Sequence, residues 1–197
     1  MPNNPKISIV LPIHNMTNGA FFLWRAINSI MEQTFTDYEI IITKQGRMAE
    51  NTNAGIKKAR GELIKILYMD DWLAHPNALE DIINNFSHYN QWLITPVNTN
   101  TTPQWTDDIE TGNNKLGSPS ALTFRNYFDE NLLFDERMSW LLDCDYYKRM
   151  KEKFGFPRIL FGCQVNVNLG VGDHQMTHIL TDEEKLAEYK LMNEKYA

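Results

Sequence analysis

Two adjacent carboxylates, Asp70 and Asp71, are the sharpest chemical feature of the sequence. They follow an apolar, β-branched run at Leu63–Leu67, which is typical of a buried strand. Carboxylates at a strand end can hold a hard divalent cation, because such ions take several oxygen ligands and substrate phosphates can supply the rest. The spacing equally allows one Asp to cap the following helix while the other is solvated. Residue types alone leave both interpretations open.

A second acidic pair, Asp143 and Asp145, lies in a segment predicted to be helical at Met138–Phe154. Residues two apart project from different faces of a helix, so one could face a cleft as a general base while the other bonds elsewhere. The alternative is that both are surface charges, with Asp145 paired to Arg149 four residues later. The pattern by itself favours this alternative.

A glycine-containing segment, Gly170–Gln175, follows a strand candidate. Its glycines allow the backbone to approach a ligand closely. His174 within it is a candidate metal ligand or phosphate contact, although an isolated histidine is more often an ordinary hydrogen-bonded residue. The pair Asp107-Asp108 falls in a polar stretch and is predicted to be solvated.

Several catalytic signatures are missing from the sequence. It contains no Gly-x-Ser-x-Gly, no Walker loop and no Gly-x-Gly-x-x-Gly after the first strand candidate, and the last absence disfavours dehydrogenases. Residues Tyr68–Asp71 spell the tetrapeptide of reverse-transcriptase palms. Because the tetrapeptide closes a buried strand in an acidic chain here, we interpret that match as coincidence.

The first half of the chain alternates strand and helix patterns. This alternation predicts an α/β fold with a largely parallel sheet and right-handed crossovers. Gly61 is placed to end the second helix. The predicted elements are strands at Lys6–Leu11, Tyr38–Thr43 and Leu63–Leu67, and helices from Phe22 to about Gln33, over Asn51–Arg60 and from Pro76 to Phe86.

The second half is less regular. Asn98–Lys115 is polar and is predicted to be a long loop, which is usually functional or mobile. Thr181 and Glu184 form a plausible capping box for a last helix. We expect that helix to bury Leu186, Tyr189, Met192 and Tyr196. The other predicted elements are strands at Trp92–Val97, Ser120–Phe124, Ile159–Phe161 and Val165–Leu169, and the helix at Met138–Phe154.

These elements place candidate residues at one edge of the sheet. In an open parallel sheet, ligands bind beyond the carboxyl ends of the strands. The segments that matter most are therefore Pro12–Asn15, Lys44–Arg47 and Met69–Trp72, which follow the first three strands.

Composition narrows the cellular setting. The length of 197 residues fits one domain, and a net charge of −6 argues against nucleic acid as a partner. No apolar run approaches membrane-spanning length, and the N-terminus lacks the pattern of a signal peptide. Two cysteines are too few for a disulfide framework and suit a reducing compartment. We therefore expect a cytoplasmic protein without a transmembrane segment.

The order of these segments resembles the family 2 glycosyltransferases. Residues 7–15, Ile-Ser-Ile-Val-Leu-Pro-Ile-His-Asn, resemble that family's opening strand, and residues 26–40 its first helix and second strand. Residues 53–61 are similar to its next helix, and residues 67–72 fall where the family has its metal-binding Asp-x-Asp segment.

The resemblance continues downstream to about residue 180. Gly117–Arg125 is similar to the segment that faces the donor sugar. Phe134–Met138, followed by Leu142–Arg149, resembles the stretch that carries the catalytic carboxylate. The order and spacing of the pieces, more than any single one, carry the resemblance.

This resemblance implies a GT-A fold, α/β with a mostly parallel central sheet flanked by helices. It implies a single domain over residues 1–197, with a nucleotide-binding half to about residue 97, a donor- and acceptor-site half over about 98–180, and a C-terminal helix over 181–197. The implied reaction moves a sugar, with inversion, from a nucleoside diphosphate sugar to a hydroxyl of a saccharide, lipid-linked or protein acceptor.

The resemblance also implies roles for particular residues. Asp143 would be the catalytic base, and Asp70, Asp71 and His174 would hold Mn²⁺ or Mg²⁺. The residues expected to bind the donor are Pro12, His14, Asn15, Lys44, Arg47, Asn53, Ser118 and Ser120.

The chain departs from the family pattern at several positions. Residues 44–47 are Lys-Gln-Gly-Arg where the family has Asp-Asp-Gly-Ser, and Tyr68 replaces the first Asp of Asp-x-Asp. Thr52 replaces the usual Arg, and Leu142 the usual Glu. An active transferase and a non-catalytic relative that binds a nucleotide or glycan both remain open. A nucleotidyltransferase-like enzyme is disfavoured, because no glycine-rich phosphate loop follows the first strand.

Overall fold

A six-stranded sheet forms the centre of the computed structural model, which describes residues 4–97, 102–168 and 176–197. The strand order is β2-β1-β3-β6-β5-β7. β1 pairs in parallel with β2 and β3, β7 pairs in parallel with β5, and only β6 within this sheet runs antiparallel to its neighbours. The strands are β1 Ile7–Pro12, β2 Tyr38–Thr43, β3 Leu63–Ile66, β5 Trp92–Ile94, β6 Leu122–Arg125 and β7 Arg158–Ile159, and β4 Trp72–Leu73 pairs separately with β8 Val165–Asn166.

Helices flank this sheet. They are α1 Gly19–Met31, α2 Met48–Ile56, α3 Ala78–Asn84, α4 Leu142–Phe154, α5 Met176–Ile179 and α6 Asp182–Tyr196. The predicted mixed α/β architecture with a mostly parallel sheet is therefore confirmed. Among the helices of the described ranges, none is long and apolar enough to cross a membrane.

The central strand β1 is buried along its whole length. Its one polar side chain, Ser8, donates a hydrogen bond to Glu39 (2.7 Å) and accepts bonds from the backbone N–H of Arg60 (3.2 Å) and Gly61 (2.8 Å). A Cβ atom at Gly61 would lie 2.6 Å from the Ser8 nitrogen, so only glycine fits there. Gly61 therefore serves this close approach, and α2 ends earlier than predicted, at Ile56.

The segment predicted as a long polar loop has local structure. Residues Ile109–Thr111 form a 3₁₀ turn whose Ile109 is fully buried, and Gln104 pairs with Lys115 in an isolated bridge. Ile109 packs this turn into the hydrophobic core, which the polar residues around it in the sequence do not indicate.

The C-terminal helix α6 begins at the predicted capping box, in which the Thr181 hydroxyl accepts a bond from the Glu184 N–H (3.2 Å). The predicted buried stripe is wrong in one place, because Leu186 is exposed while Glu188 is buried. The helix is rotated so that Glu188 reaches the start of α4.

The Glu188 carboxylate accepts hydrogen bonds from three successive backbone N–H groups, those of Ser139, Trp140 and Leu141, each at 2.8 Å. These groups precede the first turn of α4, where N–H groups have no partner within the helix. A negative charge is also favourable at this end of a helix. The contact explains why α4 begins at Leu142 and not at Met138 as predicted.

We expect Glu188→Ala to lower the free energy of unfolding by about 3 kcal/mol, because three backbone donors, two of them buried, lose a charged acceptor. Glu188→Gln keeps the shape and one acceptor oxygen and should show an intermediate loss. Urea denaturation followed by circular dichroism measures both. Glu194→Ala, at an exposed position of the same helix, is the control and should change stability by less than about 0.5 kcal/mol. Equal losses at positions 188 and 194 would contradict the capping role.

Candidate functional site

The loops after β1 and β2 are joined by a buried amide. Asn51 donates to the carbonyl of Ile13 (2.8 Å) and accepts from the Gln45 N–H (3.1 Å). Beside it, the Lys44 ammonium donates to the Asn15 side chain (2.8 Å). The structure therefore brings Asn15 and Lys44 together at the carboxyl edge of the sheet. Sequence reasoning missed Asn51, although a polar residue on the buried side of a helix is a recognisable signal.

The other residues predicted in these loops lie at the same edge. Pro12 is the last residue of β1, and the backbone N–H of His14 donates to the sulfur of Met69 (3.2 Å). Arg47 is exposed at the N-terminus of α2, where its N–H donates to the Glu50 carboxylate (2.6 Å). The structure therefore places the first strand's loop directly against the segment that follows β3.

Asn53 has a different set of contacts. Its side-chain nitrogen donates to the Phe134 carbonyl (2.9 Å) and to the Glu136 carboxylate (3.0 Å), and its oxygen accepts from the Phe134 N–H (2.8 Å). Both ends of the amide thus hold the segment around Phe134. A donor-binding role for Asn53 stays a prediction.

The two carboxylates that follow β3 have different environments. Asp71 is buried and accepts a hydrogen bond from the Asn168 N–H (2.9 Å), whereas Asp70 is half-buried at the edge of the sheet. Burial, and after it the neighbouring charge of Asp70, raise the pKa of Asp71 to about 7, while hydrogen bonding by Ser120 opposes the shift. Asp70 is therefore the member of the pair that a ligand can reach.

A buried lysine lies beneath this pair. Lys65, in the middle of β3, has no exposed surface, and its ammonium donates to the carbonyls of Ser120 and Leu122, the latter at 3.4 Å. Burial lowers the pKa of Lys65 to about 7, and the charge of Asp71 opposes that shift. Sequence reasoning missed Lys65, although a lysine inside an apolar strand was a visible signal.

The predicted donor segment around residues 118–120 is tied to the same place. The Ser120 hydroxyl, fully buried, accepts from the Tyr68 N–H (2.9 Å), so Ser120 supports the acidic segment directly. The Ser118 hydroxyl is buried and has no hydrogen-bond partner among the described residues. The carbonyl of Ser118 accepts from the Tyr147 hydroxyl (3.0 Å). Ser118 thus offers an unused hydroxyl, and Ser120 does not.

Asp143 lies in the first turn of α4 and is half-buried. One carboxylate oxygen accepts from the Asn114 amide (2.8 Å) and the other from the Cys144 N–H (2.8 Å). Burial raises the pKa of Asp143 above its ordinary value, and these hydrogen bonds oppose the shift. The side chain is thus held in one orientation and made a stronger base than a solvated aspartate.

Asp145 faces elsewhere. It has no exposed surface, and its carboxylate binds Arg149 (2.6 Å), Lys195 (2.5 Å) and the Tyr196 hydroxyl (2.7 Å). The predicted Asp145–Arg149 pair is confirmed, but the interpretation of both aspartates as surface charges is wrong. The contacts to Lys195 and Tyr196 come from α6, which covers this face of α4.

Tyr68 connects the acidic groups. Its hydroxyl has a pKa raised above the usual range, first by burial and also by the negative charges of Asp143, Asp71 and Asp70. Hydrogen bonds link the two regions: Asn114 donates to Asp143 (2.8 Å) and to the Gly117 carbonyl (3.0 Å). Ser120, three residues after Gly117, accepts from the Tyr68 N–H. Asp143 is more than 70 residues from Tyr68 in sequence. Tyr68 stands where the resembled family has a metal-binding aspartate.

Two further predictions concern His174 and the pair Asp107-Asp108. His174 lies outside the described residues. Asp108 is exposed and binds the Asn113 amide (2.9 Å), in agreement with its predicted solvation. Across the described ranges, no three His, Cys, Asp or Glu side chains converge in a way that would enclose a metal ion by themselves. The accessible carboxylate of Asp70 fits a cation whose other ligands come from substrate phosphates and water.

No protein-family model matches the sequence. Two curated relatives are uncharacterised glycosyltransferases of Rickettsia typhi and Rickettsia prowazekii, which are 30% and 29% identical to this chain over 105 residues. Each alignment covers 41% of this chain and 32% of the relative. The chain thus matches about a third of the length of these relatives.

Solved glycosyltransferase structures are similar over most of the chain. S. aureus TarS 1–349 in complex with UDP-GlcNAc superposes with a TM-score of 0.67 at 18% identity, over 95% of this chain and 65% of that chain. The mannosyltransferase PcManGT from Pyrobaculum calidifontis, in complex with GDP-Man and Mn²⁺, gives a TM-score of 0.57 at 10% identity, over 82% of this chain and 60% of that one. At these identities the similarity shows the fold, which is the GT-A fold that the sequence resemblance implied.

The contacts of Asp143 lead to a prediction that does not require a substrate. Asn114→Ala removes a donor that stabilises the ionised carboxylate, so we expect the pKa of Asp143 to rise further above its ordinary value. Carbon-13 NMR titration of the aspartate carboxyl signals measures it. Asn113→Ala is the matched control, because that neighbouring amide binds the exposed Asp108 instead. An unchanged or lower pKa of Asp143 in Asn114→Ala would contradict this electrostatic assignment.

Proposed function

We propose that this chain is a glycosyltransferase domain that moves a sugar from a nucleoside diphosphate sugar to an acceptor hydroxyl, with inversion and with the help of Mn²⁺ or Mg²⁺. The observation that carries the proposal is that Asn114 joins Asp143 to the Gly117 carbonyl, in the segment whose Ser120 holds the Tyr68 N–H, two residues before Asp70. The names of the curated relatives support the same class of reaction.

In this proposal Asp143 is the general base. The acceptor hydroxyl loses its proton to the ionised Asp143 carboxylate while its oxygen forms a bond to the anomeric carbon. The bond from that carbon to the diphosphate breaks at the opposite face, and the diphosphate leaves with the electron pair. Burial raises the basicity of Asp143, and Asn114 and Cys144 fix its orientation. A positioned base contributes about 10²–10⁴-fold to such a step.

Asp70 would hold the divalent cation against the donor diphosphate, together with His174 as the sequence predicted. The cation, when bound, stabilises the charge that develops on the departing diphosphate. Asp71, the other predicted ligand, is buried, and one oxygen of its carboxylate already accepts from the Asn168 backbone. The bound Mn²⁺ of the mannosyltransferase structure supports the use of a metal in this fold.

The donor would lie across the ends of β1 and β2. Here the chain presents the cation of Lys44, held by Asn15, and the exposed Arg47. Both can bind diphosphate oxygens, as Lys and Arg commonly do. The Ser118 hydroxyl, which has no hydrogen-bond partner in the part of the chain that the structure describes, is a further candidate contact. TarS and PcManGT were solved with UDP-GlcNAc and GDP-Man, which makes UDP and GDP the first nucleotides to test.

A second candidate function is binding without catalysis. The hydrogen bond between Lys44 and Asn15 favours it, because two predicted donor-binding side chains already satisfy each other. A protein that recognises a glycan or nucleotide needs no base at position 143. Binding and transfer must therefore be measured separately.

The first prediction concerns the donor and the metal. Isothermal titration of the purified protein with UDP and with GDP, each with and without Mn²⁺, should show binding of one nucleotide that Mn²⁺ strengthens. Asp70→Asn should remove the effect of Mn²⁺, because a neutral amide is a weaker ligand for a hard cation. Asp107→Asn, at an exposed position remote in sequence, is the control. If neither nucleotide binds under either condition, the transferase proposal fails for these donors.

The second prediction concerns catalysis. Asp143→Asn should lower transfer of the sugar by about 10²–10⁴-fold. Donor affinity should stay within about twofold, because the base contacts the acceptor and not the nucleotide. The same titration and a transfer assay with the donor identified there measure the two effects. Loss of donor binding together with transfer would show that Asp143 supports the fold or the donor instead of acting as the base.

A further inference from the structure

A cleft whose lining does not include the proposed base lies between α1 and the residues around β4. Its volume is about 310 Å³. The side chains on which the argument depends are Trp24, Arg25, Asn28, Glu32 and Trp72. We call this site the α1 cleft.

An exposed aromatic pair stands at the α1 cleft. Trp24 is 61% exposed and Phe21 is 55% exposed, and their rings stack with centroids 6.3 Å apart and an interplanar angle of 29°. Large apolar side chains that cluster on a surface usually mark a binding site, whereas single ones need no explanation. The tryptophan lines the cleft itself, so its indole surface is available to a ligand there.

Contacts on both sides hold Arg25 at the polar side of the α1 cleft. The Arg25 guanidinium lies over the Trp72 ring, 3.6 Å from its centroid, and donates to the carbonyl of Asp70 (2.6 Å). Its Nε atom is buried and has no hydrogen-bond partner among the described residues. A buried donor without a partner is costly, which favours a ligand that supplies an acceptor.

Two further polar groups on α1 are uncommitted. The side chains of Asn28 and Glu32, one helical turn apart, make no hydrogen bond or ion pair with the residues that the structure describes. Together they offer donors and acceptors next to the indole of Trp24. The α1 cleft thus combines an aromatic surface with unpaired hydrogen-bonding groups of both kinds.

We propose that the α1 cleft binds a saccharide, with a pyranose ring stacked on Trp24 and its hydroxyls bonded to Asn28, Glu32 and Arg25. A sugar ring has an apolar C–H face and a rim of hydroxyls that both donate and accept, so it satisfies the two halves of the cleft at once. An apolar protein surface would cover Trp24 but leave the polar groups desolvated and unpaired, at a cost in free energy.

This site is separate from the proposed donor and base residues, but it is connected to them. Arg25 lines the α1 cleft, and its guanidinium also donates to the backbone carbonyl of Asp70. A saccharide held there would lie beside the segment that carries Asp70. The proposal goes beyond glycosyl transfer, because a saccharide can bind the α1 cleft whether or not the donor site is active.

Saturation-transfer NMR with three tetrasaccharides, chitotetraose, mannotetraose and maltotetraose, tests the proposal on the whole chain without nucleotide. At least one should bind, and Trp24→Ala should weaken its affinity by about tenfold or more. Trp24→Tyr should restore most of the affinity, because tyrosine keeps an aromatic face. Tyr89→Ala, which removes a side chain that is 93% exposed and outside the cleft, is the matched control and should bind as the unchanged chain does.

Three outcomes would overturn the proposal. One is that none of the three tetrasaccharides binds the unchanged chain. Another is that the Trp24→Ala variant binds a tetrasaccharide as tightly as the unchanged chain does. The third is a dimer in sedimentation that Trp24→Ala dissociates, which would assign the aromatic pair to a second copy. Trp24 is exposed, so its replacement should preserve the circular dichroism spectrum. If the chain binds a saccharide but neither UDP nor GDP, the transferase proposal is rejected for these donors and the saccharide site stands.

Discussion

The burial of the Asp71 carboxylate is the constraint on which the site depends. A charge in the interior persists only where hydrogen bonds and opposite charge compensate for lost water. The backbone of Asn168, the hydroxyl of Ser120 and the ammonium of Lys65 provide this compensation. These groups come from three parts of the chain. Their interactions with the Asp71 carboxylate therefore fix the positions of β6 and of the segment before residue 168 against the end of β3. Asp70, which precedes Asp71 in the sequence, therefore lies at the edge of the sheet, where it is half-buried.

The proposed base depends on a different set of contacts. Asp143 belongs to a helix whose start is held by Glu188, and that glutamate comes from the last helix of the chain. A second buried group, Asp145, ties the same two helices together through Lys195 and Tyr196. The C-terminal helix therefore contributes to the site by supplying the charges that hold α4, the helix on which Asp143 lies.

At two positions the chain departs from the pattern of the family that it resembles. Tyr68 stands where that family has a carboxylate, and Lys44, which donates to Asn15, stands where it has an aspartate. In the proposed transferase these replacements would leave fewer carboxylates for a metal and add a cation for the diphosphate. The GT-A fold is retained, because the buried strands and the pairing of β3 with β6 do not depend on either residue.

The sequence by itself determined the α/β class, the three leading strands and the C-terminal capping box, because these rest on local periodicity and on turn and cap chemistry. It also placed Asp70 and Asp143 as candidates through the order of its motifs. Only the tertiary structure decided that Asp71 and Asp145 are buried, that Lys65 lies beneath the site, and that Glu188 and not Leu186 faces the core. The physical reason is that the burial of a charged side chain depends on partners far along the chain, which no local pattern specifies.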